Sequence, residues 1–207
     1  MIELLVFDAD GVLFDSYRSN IAYYNAIFEQ LGQPPLNEEE EIASVSMATA
    51  QLFARRARGN AALTQRMNQV SSELEFAPFF ELLQFPFELR PFMIELKKRY
   101  KLGLATNRSA TVPALVRHLR LTDTFDAIAS ARDKNVRPKP APDILELVLR
   151  RADAVGDRSV YVGDSQIDQA AAAAASMHFI GVGTRLQALR RIADLSELPA
   201  RMDEWFG

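Results

Sequence analysis

The stretch that decides the fold is Ile2-Glu3-Leu4-Leu5-Val6-Phe7-Asp8-Ala9-Asp10, and its counterpart late in the chain is Val160-Tyr161-Val162-Gly163-Asp164. Each is a short apolar run that ends in carboxylates. Each is followed by a turn and a helix-like stretch. This pattern is typical of a parallel sheet with crossover helices.

Further apolar runs extend the pattern along the 207-residue chain. The predicted strands are Ile2–Phe7, Leu102–Ala105, Ala127–Ala129, Val160–Val162 and His178–Val182. The predicted helices between them cover residues of about 91–100, 111–120, 141–152 and 166–176. Strands that alternate with helices in this way predict the α/β fold class.

The first two strands are separated by more than 90 residues, although a crossover needs only a dozen or so. Residues of about 16–86 are helix-like throughout. Ser16 is predicted to cap a helix that runs to Leu31, and Asn37 with Glu40 resembles a capping box. Gly59 and Asn60 predict a later helix break.

These segments predict two domains. An α/β core domain is expected from residues 1–15 and 87–207, and a helical cap domain from residues 16–86. Two hinges, near Asp15 and Phe85, are expected to join them.

Composition excludes several classes of protein. The chain has no cysteine, which excludes disulfides, zinc–thiolate sites and a thiol nucleophile. Its formal net charge of -3 gives no global basic field, so we expect neither a nucleic acid nor a membrane partner. The apolar run Ile2–Phe7 is too short for a signal peptide and lacks a basic flank, so a cytoplasmic protein is expected.

Carboxylates gather at two strand ends. Asp8 and Asp10 lie two apart on an extended segment and therefore face the same way; Asp164 and Asp168 follow the fourth strand. Turn or helix capping is the simpler explanation for each pair alone. Together they would meet in the crevice beyond the strand ends, where two charges about 4 Å apart repel by roughly 4 kcal/mol. A hard cation would relieve this repulsion, and oxygen-only ligands favour magnesium over zinc.

Two other strand ends supply complementary groups. Leu104-Ala105-Thr106-Asn107-Arg108-Ser109 offers a hydroxyl and backbone amides suited to phosphate oxygens, although such a turn is ordinary by itself. Lys139 stands between Pro138 and Pro140, which restrict the backbone of its loop.

With these four segments in order, the chain resembles the haloacid dehalogenase superfamily of phosphatases with a helical cap, the group that includes phosphoglycolate phosphatase-like enzymes. The resemblance implies a Rossmann-like sheet ordered 3-2-1-4-5. It implies that Asp8 is the nucleophile, that Asp10 is the general acid and base, and that Lys139 neutralises charge. It further implies phosphoryl binding by Thr106, Asn107 and Lys139, and a magnesium site formed by Asp8, the backbone carbonyl of Asp10, Asp164 and Asp168, the last directly or through water.

Two positions depart from the family pattern. Val12 follows Gly11 where threonine is common, and Arg90-Pro91-Phe92 replaces the usual Pro-Gly pair after the cap. The second departure lies at the start of the helix after the cap, so the sequence leaves open the shape of the pocket wall that this helix would form.

The expected function is magnesium-dependent hydrolysis of a small phosphorylated metabolite, phosphoglycolate-like or a sugar phosphate, through an aspartyl-phosphate intermediate. A phosphomutase and a catalytically silent phosphate-binding or interaction protein are the alternatives. The second is disfavoured by the intact set of Asp8, Asp10, Lys139 and Asp164. The cap is expected to select the substrate. The pattern leaves open whether arginines of the cap contact the substrate or form a solvated face. These arginines are Arg55, Arg56, Arg58 and Arg66. No feature indicates an oligomeric state.

Overall fold

The structure is a computed structural model that describes residues 1–46, 49–108, 111–184 and 186–207. It divides into two compact units. The first comprises Met1–Phe14 and Phe85–Gly207, and the second comprises Asp15–Gln84. The boundaries expected from the sequence, 15/16 and 86/87, lie within two residues of these.

The first unit contains a parallel six-stranded sheet. Its strands are β1 (Leu4–Phe7), β2 (Lys101–Thr106), β3 (Ala127–Ser130), β4 (Ser159–Gly163), β5 (His178–Val182) and β6 (Arg191–Ile192). Their order is β3-β2-β1-β4-β5-β6, and each neighbouring pair is parallel. Strand β1 lies inside the sheet and is buried along its whole length, as expected of a strand covered on both faces.

The expected α/β class is confirmed, with one correction to the strand order. The sequence predicted five strands, but β6 adds a sixth beside β5. This strand has two residues, and so short a segment carries no periodic signal.

Helices alternate with the strands of this unit. They are α5 (Leu89–Lys97), α6 (Val112–His118), α7 (Asp143–Ala152), α8 (Gln166–Ala174) and α9 (Leu198–Phe206). Helix α7 contacts β2 and β3, whereas α8 contacts β4 and β5. Apolar side chains of α7, α8 and the strands form one buried cluster, in which Ala171 and Ala172 let α8 approach the sheet closely.

The second unit is helical. It consists of α1 (Tyr17–Gln30), α2 (Glu38–Ser46), α3 (Thr49–Ala57), α4 (Ala61–Glu73) and a 3-10 helix (Ala77–Leu82). Tyr23, Phe28, Phe53 and Met67 belong to a buried cluster formed within this unit. Each unit therefore has its own apolar core.

Of the two helix caps predicted from the sequence, the structure confirms one and corrects the other. Asn37 and Glu40 exchange side-chain to backbone hydrogen bonds of 2.9 and 3.1 Å, which confirms the capping box before α2. The prediction for Ser16 was wrong in its detail, because its side chain makes no capping hydrogen bond. The carboxylate of Asp15 accepts the N–H of Tyr17 at 2.7 Å instead.

Among the described residues, none of the helices combines the length and the apolar character needed to cross a membrane.

Candidate active site

The candidate site lies at the carboxyl ends of β1, β2 and β4, all in the first unit. Asp8 follows the last residue of β1, and its N–H still donates to the carbonyl of Val162 at 2.9 Å. Asp164 follows β4, and Asp168 lies in the first turn of α8. Because neighbouring parallel strands end at the same edge of the sheet, residues more than 150 positions apart in the chain meet there.

Three carboxylates form a cluster. One oxygen each of Asp8, Asp164 and Asp168 lie within 4.8 Å of one another. Gly11, in the turn after β1, allows this close approach: a Cβ atom there would lie 2.0 Å from Asp164 Oδ2.

Lys139 supplies the positive charge of the cluster. Its side chain is almost fully buried, with Nζ 2.9 Å from Asp8 Oδ1 and 2.6 Å from Asp168 Oδ1. The contact with Asp8 is an ion pair without hydrogen-bond geometry, so Asp8 Oδ1 is buried with no hydrogen bond. Burial alone would lower the pKa of Lys139, but the charges of Asp8 and Asp168 outweigh it and raise this pKa.

The carboxylates are under electrostatic strain. The pKa of Asp8 is raised to about 7; burial is the largest cause, the charges of Asp168 and Asp10 add to it, and Lys139 offsets part of the rise. The pKa of Asp164 is also raised, to about 6, first by partial burial and then by the charge of Asp168. Part of the Asp164 side chain remains exposed. The protein thus leaves negative charge in this cluster uncompensated.

A divalent cation fits this cluster. The donors are all oxygen atoms, and three carboxylates face a single ammonium group. The buried Asp8 Oδ1 has an unused hydrogen-bonding capacity. Such a donor set suits a hard cation such as magnesium.

Asp168 has both carboxylate oxygens occupied by protein donors. Oδ1 accepts from Lys139 Nζ at 2.6 Å and from Tyr161 Oη at 3.0 Å. Oδ2 accepts from the backbone N–H and the hydroxyl of Ser165 at 3.1 and 2.5 Å. Ser165 Oγ in turn accepts the N–H of Asp168 at 3.2 Å, which completes a capping box at the start of α8. The expected capping role and the expected role in the site therefore coexist in one residue.

The side chain of Asp10 is bound by an arginine. Arg108 donates to both oxygens of Asp10, from Nε and from a terminal nitrogen, each at 2.6 Å. The Arg108 side chain is only 11% exposed, so this two-bond pair is partly shielded from water. Such paired geometry is the strongest form of an arginine–carboxylate contact.

Thr106 is the last residue of β2 and Asn107 follows it, and their side chains have different partners. Thr106 is buried, and its hydroxyl accepts the N–H of Arg108 at 3.1 Å. The amide group of Asn107 is used at both ends by the backbone of Lys139: Oδ1 accepts its N–H at 2.8 Å, and Nδ2 donates to its carbonyl at 3.1 Å. Asn107 thereby holds the Lys139 loop against β2. Ser109 lies outside the described residues.

Sequence reasoning missed two residues that contact the predicted site, Arg108 and Tyr161. The local pattern assigns Arg108 only to a turn and Tyr161 only to a strand. A signal existed for Tyr161, because a tyrosine within a fully buried strand needs a partner for its hydroxyl. Nothing in the local pattern linked Arg108 to Asp10, which lies 98 positions away.

The arginines of the second unit are partly engaged within that unit. Arg55 forms an ion pair with Glu39. Arg56 lies over the ring of Phe28, 3.9 Å from its centroid, and pairs with Glu40 at 2.6 Å. These contacts favour a structural role for both arginines. Arg58 and Arg66 are exposed.

Comparison with known proteins points to one family. The family model described as haloacid dehalogenase-like hydrolase matches residues 5–182. A phosphoglycolate phosphatase from Pseudomonas putida is 28% identical over 188 residues, which cover 86% of this chain and 68% of that protein.

Solved structures show the same similarity. A HAD-superfamily hydrolase of subfamily IA, variant 1, from Geobacter sulfurreducens has a TM-score of 0.82 and 28% identity, covering 97% of this chain and 96% of its own. CbbY from Rhodobacter sphaeroides, solved in complex with phosphate, has a TM-score of 0.74 and 26% identity and covers 96% of both chains.

Proposed function

The chain belongs to the haloacid dehalogenase-like hydrolases, and from that premise we propose that it is a magnesium-dependent phosphatase acting on a small phosphate monoester. The observation that carries the proposal is the buried Asp8, held 2.9 Å from the Lys139 ammonium inside a cluster of carboxylates with excess negative charge. A carboxylate so placed is suited to attack phosphorus while a cation offsets the charge of the phosphoryl oxygens.

Asp8 is the proposed nucleophile. One of its oxygens forms a bond to phosphorus as the bond from phosphorus to the ester oxygen breaks, which gives an aspartyl-phosphate. Lys139 stabilises the transferring oxygens, and the buried Thr106 lies at the same edge of the sheet to bind the phosphoryl group. Water then attacks phosphorus and releases Asp8 and inorganic phosphate.

Asp10 is the proposed general acid and base. It gives a proton to the leaving alkoxide and later takes one from the attacking water. Both of its oxygens accept hydrogen bonds from Arg108 in the structure, and each oxygen keeps a second lone pair for the proton that this role transfers.

The metal would be held by Asp8, Asp164 and the backbone carbonyl of Asp10. Both oxygens of Asp168 already accept hydrogen bonds from protein donors, so Asp168 would contribute to the metal site only through water. When bound, magnesium would offset the charge of the phosphoryl oxygens.

The substrate class rests on chemistry and on relatives. The core residues use only the phosphoryl group, so the helical unit is the proposed source of selectivity. The name of the Pseudomonas putida relative makes 2-phosphoglycolate the first ester to test.

A screen of phosphorylated metabolites, with magnesium or with excess chelator, tests the proposal. We expect phosphate release that needs magnesium and falls by at least about 1,000-fold in Asp8→Asn, because the nucleophile is lost. Asp157→Asn is the matched control, since this exposed aspartate precedes β4 at the opposite edge of the sheet. Full activity in chelator or in Asp8→Asn would refute the proposal, and isomerisation of a sugar phosphate without net hydrolysis would indicate a phosphomutase.

A further inference from the structure

Tyr161 places a polar group deep in the core of the first unit. The residue lies on β4, has no exposed surface, and packs among the apolar side chains between the sheet and helices α7 and α8. Phenylalanine would fill the same space without a hydroxyl. A hydroxyl buried in such surroundings is costly unless it is hydrogen-bonded.

The hydroxyl of Tyr161 has three partners. Lys139 Nζ lies 2.7 Å away and donates to it. Its own proton can go to Asp168 Oδ1 or to the carbonyl of Ala105 on β2, each at 3.0 Å. Tyr161 therefore connects β4 and β2 to the ammonium group at the centre of the carboxylate cluster.

The hydrogen bonds of the Lys139 ammonium group determine the directions of its N–H bonds. An ammonium group has three N–H bonds. Those to Tyr161 Oη and Asp168 Oδ1 take two of them, which fixes rotation about the terminal C–N bond. The third is left for a bound phosphoryl oxygen, because the 2.9 Å contact with Asp8 Oδ1 lacks hydrogen-bond geometry.

We propose that Tyr161 is a positioning residue that holds the ammonium group of Lys139 in its working orientation. The lysine ammonium group is a compact charge on a flexible side chain, so other residues must hold it in position. Asn107 fixes the backbone of Lys139, and Tyr161 fixes the opposite end of the side chain. The link to turnover rests on the proposed function, whereas the restraint on the ammonium group does not.

A purely structural role is the competing explanation. In that case the hydroxyl only ties β4 to the Ala105 carbonyl, and its loss would lower stability without a specific effect on Lys139. The two explanations differ in what happens when Lys139 itself is changed.

Kinetics of Tyr161→Phe provide the first test. We expect kcat to fall about 10-fold, the effect of losing one hydrogen bond to a charged group, with KM within about twofold. Tyr23→Phe is the matched control, because it removes a hydroxyl that bonds the Ser71 carbonyl at 2.9 Å in the other unit. Its kcat should not change.

A double-mutant cycle separates positioning from structure. In a Lys139→Met background, Tyr161→Phe should change residual turnover of an aryl phosphate by no more than about twofold, because the group on which it acts is gone. An equal loss in both backgrounds would overturn the proposal.

Nitrogen-15 NMR of the lysine ammonium groups tests the restraint without any turnover. The wild type should show a protected ammonium signal that disappears in Lys139→Met. In Tyr161→Phe, its exchange with water should be at least about fivefold faster, because one of its hydrogen bonds is lost. No protected signal in the wild type, or the same exchange rate in both proteins, would overturn the proposal. A wild type without phosphatase activity would refute the proposed function and leave this measurement valid.

Discussion

At Asp8, burial and neighbouring charges act on one carboxyl group in opposite directions. Burial raises its pKa, Lys139 lowers it, and Asp168 and Asp10 raise it again, to about 7. The single ammonium group does not balance the cluster. This imbalance is the physical reason to expect a cation, and a cation bound there would favour the charged form of the proposed nucleophile near neutral pH.

Gly11 shows how a residue without a side chain supports the same site. Its φ of +74° is in the left-handed region, and a Cβ atom would lie 2.0 Å from Asp164 Oδ2. We expect Gly11→Ala to lose about 1 kcal/mol of stability through its backbone. We also expect its half-maximal magnesium concentration to rise about 10-fold, because Asp164 is displaced.

Gly32→Ala is the control for this prediction. Gly32 has a similar φ of +63° with nothing within 4 Å of an added Cβ atom. It should lose about the same stability and keep its magnesium dependence. Titration of activity with magnesium and unfolding in urea measure both effects. An unchanged magnesium requirement in Gly11→Ala would contradict the importance of the Asp164 position.

At the scale of elements, the start of α8 and the site share one carboxylate. Asp168 caps the helix with Oδ2 and holds Lys139 and Tyr161 with Oδ1. The helix terminus thus orients the group that orients the lysine. A change in the capping box should therefore affect catalysis as well as stability.

Ser165→Ala tests this coupling. Loss of an N-cap side chain costs about 1 kcal/mol, measured by urea unfolding. We expect an additional fall of about 10-fold in kcat, because Asp168 Oδ2 loses its 2.5 Å partner.

Asn60→Ala is the matched variant in the other unit. Asn60 caps α4 through a 3.0 Å bond from the Leu63 N–H, so its loss should cost a similar stability with kcat within about twofold. If both variants kept full kcat, the capping box would be only structural.

For the whole molecule, the separate cores suggest separable units. The second unit begins and ends at Asp15 and Gln84, which exchange backbone hydrogen bonds of 2.9 and 3.0 Å. The chain therefore leaves and rejoins the first unit at adjacent points, and a short linker can replace residues 16–83.

We expect this linker variant to fold, since the apolar cluster of the first unit is formed by its own residues. It should retain some hydrolysis of small aryl phosphates and lose its ranking among metabolite esters, because the core residues are proposed to bind only the phosphoryl group. Circular dichroism and a repeat of the substrate screen measure these outcomes. An unchanged ranking would show that the helical unit does not set selectivity.

Much of the fold could be predicted because its signals are local. Buried parallel strands are continuous apolar runs, so five strands were found within a few residues of their observed bounds. Residues after those strands could be assigned to one edge of the sheet, which brought Asp8, Lys139 and Asp164 into one hypothesis. The two-residue β6 and the unused Ser16 cap were beyond this reasoning.

The sequence by itself determined the class of fold, the helical insertion and the carboxylates at the strand ends, because periodicity and spacing act over a few residues. Only the tertiary structure decided which groups pair. Arg108 binds Asp10 across 98 positions, and the Tyr161 hydroxyl reaches Lys139 across 22 and Ala105 across 56. Such contacts depend on how strands are ordered and how buried charges find partners, and no local pattern records either.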